Sequence, residues 1–252
     1  MDLKEFMENP NHDALLKDLW DSHAGWWQRG FTDGVDAEYT EQIIPIVKKR
    51  VAGLRLILDV GGGEGQIARA VSEATGGMSV VVDPILSQVR LALRRGSPAV
   101  LGSAENLPFA SASVDGAVAC LVFEHLLELD RALSEVARAV RPDGRFLLLL
   151  NHPILQTPGS GLIDDADLGE RYWRLGPYLR EDLSVEEVEK DIFIPFVHRP
   201  LSRYVNGAIA TGFELVEMLE PAPPDGFLAR SDAYADVAAY PRLLVLHFRR
   251  CS

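Results

Sequence analysis

The chain has 252 residues, of which 47% are apolar, enough for a sizeable core, and no apolar stretch is long enough to span a bilayer. Its formal charge is −12, from 37 acidic against 25 basic residues, which disfavours a nucleic-acid partner because phosphate backbones are bound by clustered Lys and Arg. Two cysteines, Cys120 and Cys251, make no disulfide framework and fit a reducing cytoplasm.

Met1 to Pro10 is acidic and polar, unlike a signal peptide. Leu15, Leu16, Leu19, Trp20, Trp26 and Trp27 then recur at partly helical spacing, with Gly25 expected to interrupt any single long helix. A second helix is expected from Ala37 to Val51, despite Pro45. Its basic run Lys48-Lys49-Arg50, like Arg90, Arg94 and Arg95 farther on, fits a solvated helix face in so acidic a chain. Apolar runs predict strands at 54–60, 78–83, 98–101, 114–121 and 145–150, with helices at 65–75, 85–95 and 129–140 between them. Such alternation predicts a parallel sheet covered on both faces. Arg141-Pro142-Asp143-Gly144 reads as the turn before the fifth strand.

Residues 151–198 break the alternation. Pro158, Gly159, Gly161, Gly176 and Pro177, interspersed with Tyr172, Trp173 and Tyr178, make a long connection that leaves the carboxyl end of a strand. Long loops there usually serve function, so this segment is expected to cover a substrate. A helix starts after Arg199-Pro200 and ends before Gly212, Pro suiting the first turn and Gly the end. Strands at 213–219 and 242–249, joined by a Pro-rich loop over 221–240, would close the sheet.

The first strand ends Leu58-Asp59-Val60 and runs into Gly61-Gly62-Gly63-Glu64-Gly65, while the second ends in Asp83. Glycines let a ligand approach the backbone closely. An acid at the end of the second strand can accept hydrogen bonds from both hydroxyls of a ribose. An adenosine-containing cofactor follows. A pyrophosphate cofactor asks for G-x-G-x-x-G, but the third glycine position is Gln66, so the spacing is G-x-G-x-G.

Val60 to Gly65 resembles motif I of the class I S-adenosylmethionine-dependent methyltransferases, and Val81-Val82-Asp83-Pro84 resembles motif II. Gly102 to Phe109 is similar to the family's adenine-side loop, with Ser103 where an Asp is usual. Val114 to Val118 is similar to its fourth strand, and Leu133 to Phe146 to the helix, turn and fifth strand that follow. The resemblance covers about residues 54–152. It implies an α/β fold: a doubly wound, Rossmann-like, seven-stranded sheet, mostly parallel with an antiparallel last strand. One methyltransferase domain would fill 1–252, with an N-terminal helical cap (1–52), a cofactor core (53–150), an inserted cover after the fifth strand (151–198) and a C-terminal helix and strands (199–252).

By the same resemblance the cofactor is S-adenosylmethionine, with S-adenosylhomocysteine as product. Asp83, beside Pro84, would hold the ribose. Gly61, Gly63 and Gly65 would admit the methionine moiety, with Asp59 ordering the turn, and Ser103, Ala104 and Glu105 would border the adenine. Trp27 and Tyr39 would reach the methionine end, their alternative role being an aromatic packing cluster. Histidine titrates near neutrality, and position makes His152 and His198 the base candidates, with Tyr204 to orient an acceptor hydroxyl. His125 is expected on the cofactor floor. His12, His23 and His247 are expected to be structural. No metal spacing is present. The expected partner is a small-molecule acceptor, methylated on oxygen before nitrogen or carbon, with no nucleic acid and no membrane, the protein being a monomer or homodimer. An NAD(P)-dependent oxidoreductase and a non-catalytic cofactor-binding protein stay open as alternatives.

Overall fold

The structure, a computed structural model, describes residues 12–231 and 238–252, and the side chains of 12–16 are not described. The reading of Met1 to Pro10, the roles of His12, Leu15 and Leu16, and part of the 221–240 loop therefore lie outside the described residues.

Five strands alternate with helices, as the apolar runs demand: β1 (Leu56–Val60), β2 (Met78–Asp83), β3 (Ala99–Leu101), β4 (Val114–Cys120) and β5 (Val140–Asn151). Four consecutive residues of β1 are buried, the mark of a strand covered on both faces. The full sheet has seven strands in the order β10-β11-β5-β4-β1-β2-β3, where β10 is Phe213–Leu219 and β11 is Leu243–Arg250. The five sequential strands are parallel, and β11 runs antiparallel to both neighbours. The expected 141–144 turn lies inside β5, where Asp143 has φ 60° and the register with β4 shifts between Val114 and Gly116.

Among the described residues, six longer α-helices flank or follow these strands. Helix α1 is His12–Phe31, α2 Ile44–Val51, α3 Gln66–Thr75, α4 Leu86–Arg94, α5 Leu129–Ala139 and α6 Leu201–Ala210. Leu129, Leu133 and Val136 of α5 pack with Tyr204 and Ala208 of α6 over one face of the sheet. Val47 and Val51 of α2 pack with Ile67 and Val71 of α3 over the other. The chain is thus doubly wound. A short helix α7 (Asp225–Leu228) interrupts the segment expected to be loop.

Three expectations are corrected. Gly25 does not interrupt α1, which is continuous for 20 residues. A mid-helix glycine costs about 1 kcal/mol, and α1 is held from two sides. Ser87 Oγ of α4 donates to Asp21 at 2.5 Å, and Gln28 Nε2 donates to Gln88 at 3.0 Å. From the other side, the Phe193 amide donates to His23 at 3.4 Å and Trp26 Nε1 donates to Glu189 at 2.5 Å. The helix expected at 37–51 divides into a π-helical turn, Glu38–Ile43, and α2. The wide turn shifts the hydrogen bonding by one residue, so that Pro45, which has no N–H, falls at the start of a new helix. The long connection at 151–198 contains two hairpins, β6 (Gly161–Asp165) with β7 (Glu170–Arg174), and β8 (Asp182–Glu189) with β9 (Ile192–His198).

Candidate functional site

Strand order reverses between β1 and β4, so the connections after these two strands leave on opposite faces and open a crevice at their carboxyl ends. A cavity of about 400 Å³ lies there, lined by segments that follow β1 (Gly61–Glu64), β2 (Pro84, Ile85), β3 (Ser103–Asn106) and β4 (Leu121, Val122, His125–Glu128). Helix α1 and the π-helical turn add Lys17, Trp20, Trp27 and Tyr39. The volume suits a small-molecule ligand, whose pockets run from about 300 to 1,000 Å³.

The glycine turn is held from beneath. Asp59 is buried, and its Oδ2 accepts from the Ala68 amide at 2.9 Å. A Cβ on Gly62 would stand 2.4 Å from the Asp59 carboxyl carbon, so a side chain there would have to displace Asp59 or the turn. Gly65 has φ +86° and its Cβ position is filled by Ser97, 2.6 Å away. It is the N-cap of α3 and is not among the residues that line the cavity, unlike Gly61 and Gly63. Asp83 lines the cavity at the end of β2. Its Oδ2 accepts from the Gly63 amide at 2.9 Å and its Oδ1 from the Ile85 amide at 2.8 Å. This fixes the carboxylate and leaves each oxygen a further lone pair. Burial pushes Asp59 up to about 7 and Asp83 up to about 6, against the downward pull of those amide bonds.

Of the expected cofactor-binding residues, Trp27, Tyr39, Asp59, Gly61, Gly63, Asp83, Pro84, Ser103, Ala104 and Glu105 all line this one cavity. Trp27 also stacks on Phe31 with centroids 4.4 Å apart, so it serves packing as well. The Tyr39 hydroxyl lies 4.0 Å from Cys120 Sγ, and burial raises its pKa well above the usual value.

The three expected catalytic residues are not brought to the cavity. His152 is 1% exposed. Its Nδ1 accepts from the Ile154 amide at 3.2 Å while its Nε2 meets Glu220 at 2.8 Å, so both ring nitrogens are engaged. His198 turns its Nε2 to the Tyr178 carbonyl at 2.8 Å. Tyr204 is 2% exposed in the α5–α6 core, and burial raises its pKa. The histidine that does line the cavity is His125, in a 3₁₀ turn (Phe123–His125) after β4. Trp20 meets its ring edge-on, with centroids 4.8 Å apart. Gly62, Trp20, Glu64 and Gln88 also belong to the site without having been singled out. Gly62 carried a signal, as the middle of three consecutive glycines. Among the described residues no group of three or more His, Cys, Asp or Glu could hold a metal, and no helix is long and apolar enough to cross a membrane.

Residues 58–148 match the methyltransferase domain family. The solved S-adenosylmethionine-dependent methyltransferase of Mesorhizobium loti superposes with a TM-score of 0.71 at 25% identity, covering 86% of this chain and 99% of that one. Residues 58–148 are thus a methyltransferase domain of the class I S-adenosylmethionine-dependent kind. Methyltransferases of its kind among the curated relatives include an uncharacterized methyltransferase of Mycobacterium tuberculosis, 36% identical over 140 residues that make up 54% of each chain. The C-methyltransferase of ubiquinone/menaquinone biosynthesis from Rubrivivax gelatinosus is 38% identical over 96 residues, 37% of this chain and 38% of that one. The chain thus spans about half the length, or less, of these curated relatives. The methyltransferase match begins inside β1 and ends inside β5, so it covers the cofactor half of the sheet and stops before the inserted hairpins.

Proposed function

We propose that this protein binds S-adenosylmethionine in the switch-point cavity and transfers its methyl group to a small organic acceptor, on oxygen. The observation that carries the reading is the joint placement of the glycine turn and the fixed Asp83 carboxylate on one cavity. When bound, the cofactor supplies a methyl group already activated on a sulfonium. Asp83 accepts hydrogen bonds from the ribose hydroxyls through its remaining lone pairs. Gly61, Gly62 and Gly63 keep side chains away from the methionine moiety, with Asp59 fixing the turn. Ser103, Ala104 and Glu105 border the adenine, and Trp27 and Tyr39 shield the methionine end from water. The inserted hairpins cover the acceptor. The protein's main task is then alignment, which in favourable intramolecular cases supplies roughly 7–11 kcal/mol of a barrier.

The charge of −12 supports a small molecule over a nucleic acid, and free thiols at Cys120 and Cys251 are in keeping with action in the cytoplasm. The Rubrivivax relative is named for methylation of carbon, but its similarity spans only 96 residues.

Calorimetry with S-adenosylmethionine, S-adenosylhomocysteine and NAD tests the cofactor. The sulfur compounds should bind with micromolar affinity, and Asp83→Ala should weaken them at least tenfold, about 1.4 kcal/mol. Equal or tighter binding of NAD, or an unchanged affinity in a folded variant, would overturn the assignment.

A further inference from the structure

His125 differs from the other histidines in how its ring is used. Its Nδ1 lies 2.6 Å from the carbonyl oxygen of Pro195, in β9 of the inserted hairpin. A carbonyl only accepts, so Nδ1 carries the proton and Nε2 is left with a bare lone pair. Nε2 has no hydrogen-bond partner among the described residues, and the ring lines the cavity. Trp20 from α1 and Phe196 from β9 hold the ring in place, with centroids 4.8 and 4.7 Å from it. The charged groups lining the same cavity are Lys17 from α1, Asp59 and Asp83 at the strand ends, Glu64 of the glycine turn, and Glu105, Glu128 and Arg131 from the loops and start of α5.

We infer that His125 Nε2 is the group that takes the acceptor's proton, and that the acceptor is a phenol: a neutral hydroxyl on a flat apolar body. This rests on the methyltransferase reading above. A bare lone pair welcomes a hydroxyl proton, repels a carboxylate, and finds nothing to accept from a tertiary amine. The aromatic wall built by Trp20 and Trp27 suits a planar body. The step balances simply. The acceptor oxygen forms a bond to the methyl carbon as the carbon–sulfur bond breaks. The pair of electrons from that bond stays on sulfur, and the hydroxyl proton passes to Nε2 and then to water. Burial holds His125 down at about 4, so it is a weak base. A weak base suffices, because the hydroxyl becomes strongly acidic as the methyl group arrives. The same weakness disfavours aliphatic alcohols, whose hydroxyl proton is far harder to remove than that of a phenol, whose pKa is about 10.

The first measurement needs no turnover. In the full chain, labelled with ¹⁵N-histidine and saturated with S-adenosylhomocysteine, long-range ¹H–¹⁵N spectra report the tautomer, and His125→Gln assigns the signal. Nδ1 should be protonated and Nε2 bare from pH 8 to 5. A proton on Nε2 at pH 7 would overturn the inference. The second measurement follows label from methyl-labelled S-adenosylmethionine into phenol, catechol and 4-methylphenol, with benzoate and cyclohexanol as counterparts. Label should enter phenols only, and His125→Gln should lower kcat by about 10²-fold or more with little change in KM. An unchanged kcat, or label in benzoate or in none of the phenols, would overturn it. S-adenosylhomocysteine binding to His125→Gln, followed by calorimetry, separates this failure from a failure of the cofactor assignment, which would abolish binding in the wild type as well.

Discussion

At the scale of single residues, the site depends on atoms that leave no room. Asp59 occupies the space where a side chain on Gly62 would go. Gly62→Ala should therefore either push the Asp59 carboxylate off the Ala68 amide or lift the turn into the cavity. Calorimetry should show at least a tenfold loss of S-adenosylmethionine affinity, and binding at wild-type strength would mean that the turn has slack that its contacts do not suggest. Asp83, Gly61 and Gly63 could be placed on the cavity from sequence because their position is local: a strand, its end and the turn are contiguous. His152, His198 and Tyr204 could not be judged that way. The chain places them near the carboxyl end of the sheet, but the cavity is not the only neighbour there. Glu220, 68 residues beyond His152, binds its ring, and the carbonyl of Tyr178 binds that of His198. His125 stood on the right connection, yet only Pro195, 70 residues away, decides which nitrogen bears its proton.

Among elements, the alternation of apolar runs determines the five parallel strands, because strands buried on both faces are uninterrupted apolar stretches. The inserted hairpins were harder to see. Val185 and Val188 remain exposed on β8, so no buried stripe marks that strand, while β9 buries Ile194 to His198 but contains Pro195. Their signal is the two-residue link Lys190-Asp191, where Asp191 takes φ 65°. This hairpin is fastened to the core by Leu183 and Val197, which pack with Leu127. Arg199, directly after β9, completes the fastening. It is 2% exposed, and its Nη2 donates to the Leu126 and Leu127 carbonyls at 2.7 and 2.9 Å. It therefore braces the segment that carries His125. Arg199→Ala should cost about 3 kcal/mol in urea unfolding, since bonds to a charged donor are worth about 1.5–3 kcal/mol and the carbonyls would be left buried. Arg199→Lys should recover less than half, because one ammonium cannot span the fork. A loss below about 0.5 kcal/mol would place the bracing elsewhere.

For the molecule as a whole, two of the cavity's acids, Asp59 and Asp83, should make cofactor binding sensitive to pH. Burial holds Asp59 at about 7 and Asp83 at about 6, so the folded chain keeps protons that the unfolded chain releases near pH 4. The stability these groups lend is full below that point and falls as pH rises through 6 and 7. A cationic cofactor favours the ionised carboxylates and expels those protons. The Kd of S-adenosylmethionine should accordingly fall as pH rises from 5.5 to 8, with proton release visible when calorimetry is repeated in buffers of different ionisation enthalpy. A Kd independent of pH would mean that neither acid titrates in this range. The sheet order carries one more implication. Strand β11 is the last in sequence, yet it lies between β5 and β10. A nascent chain that has emerged only as far as residue 242 presents two bare sheet margins, including the long apolar run of β5. Those margins invite pairing with another chain, so the interval before β11 is made is when the protein depends most on a chaperone.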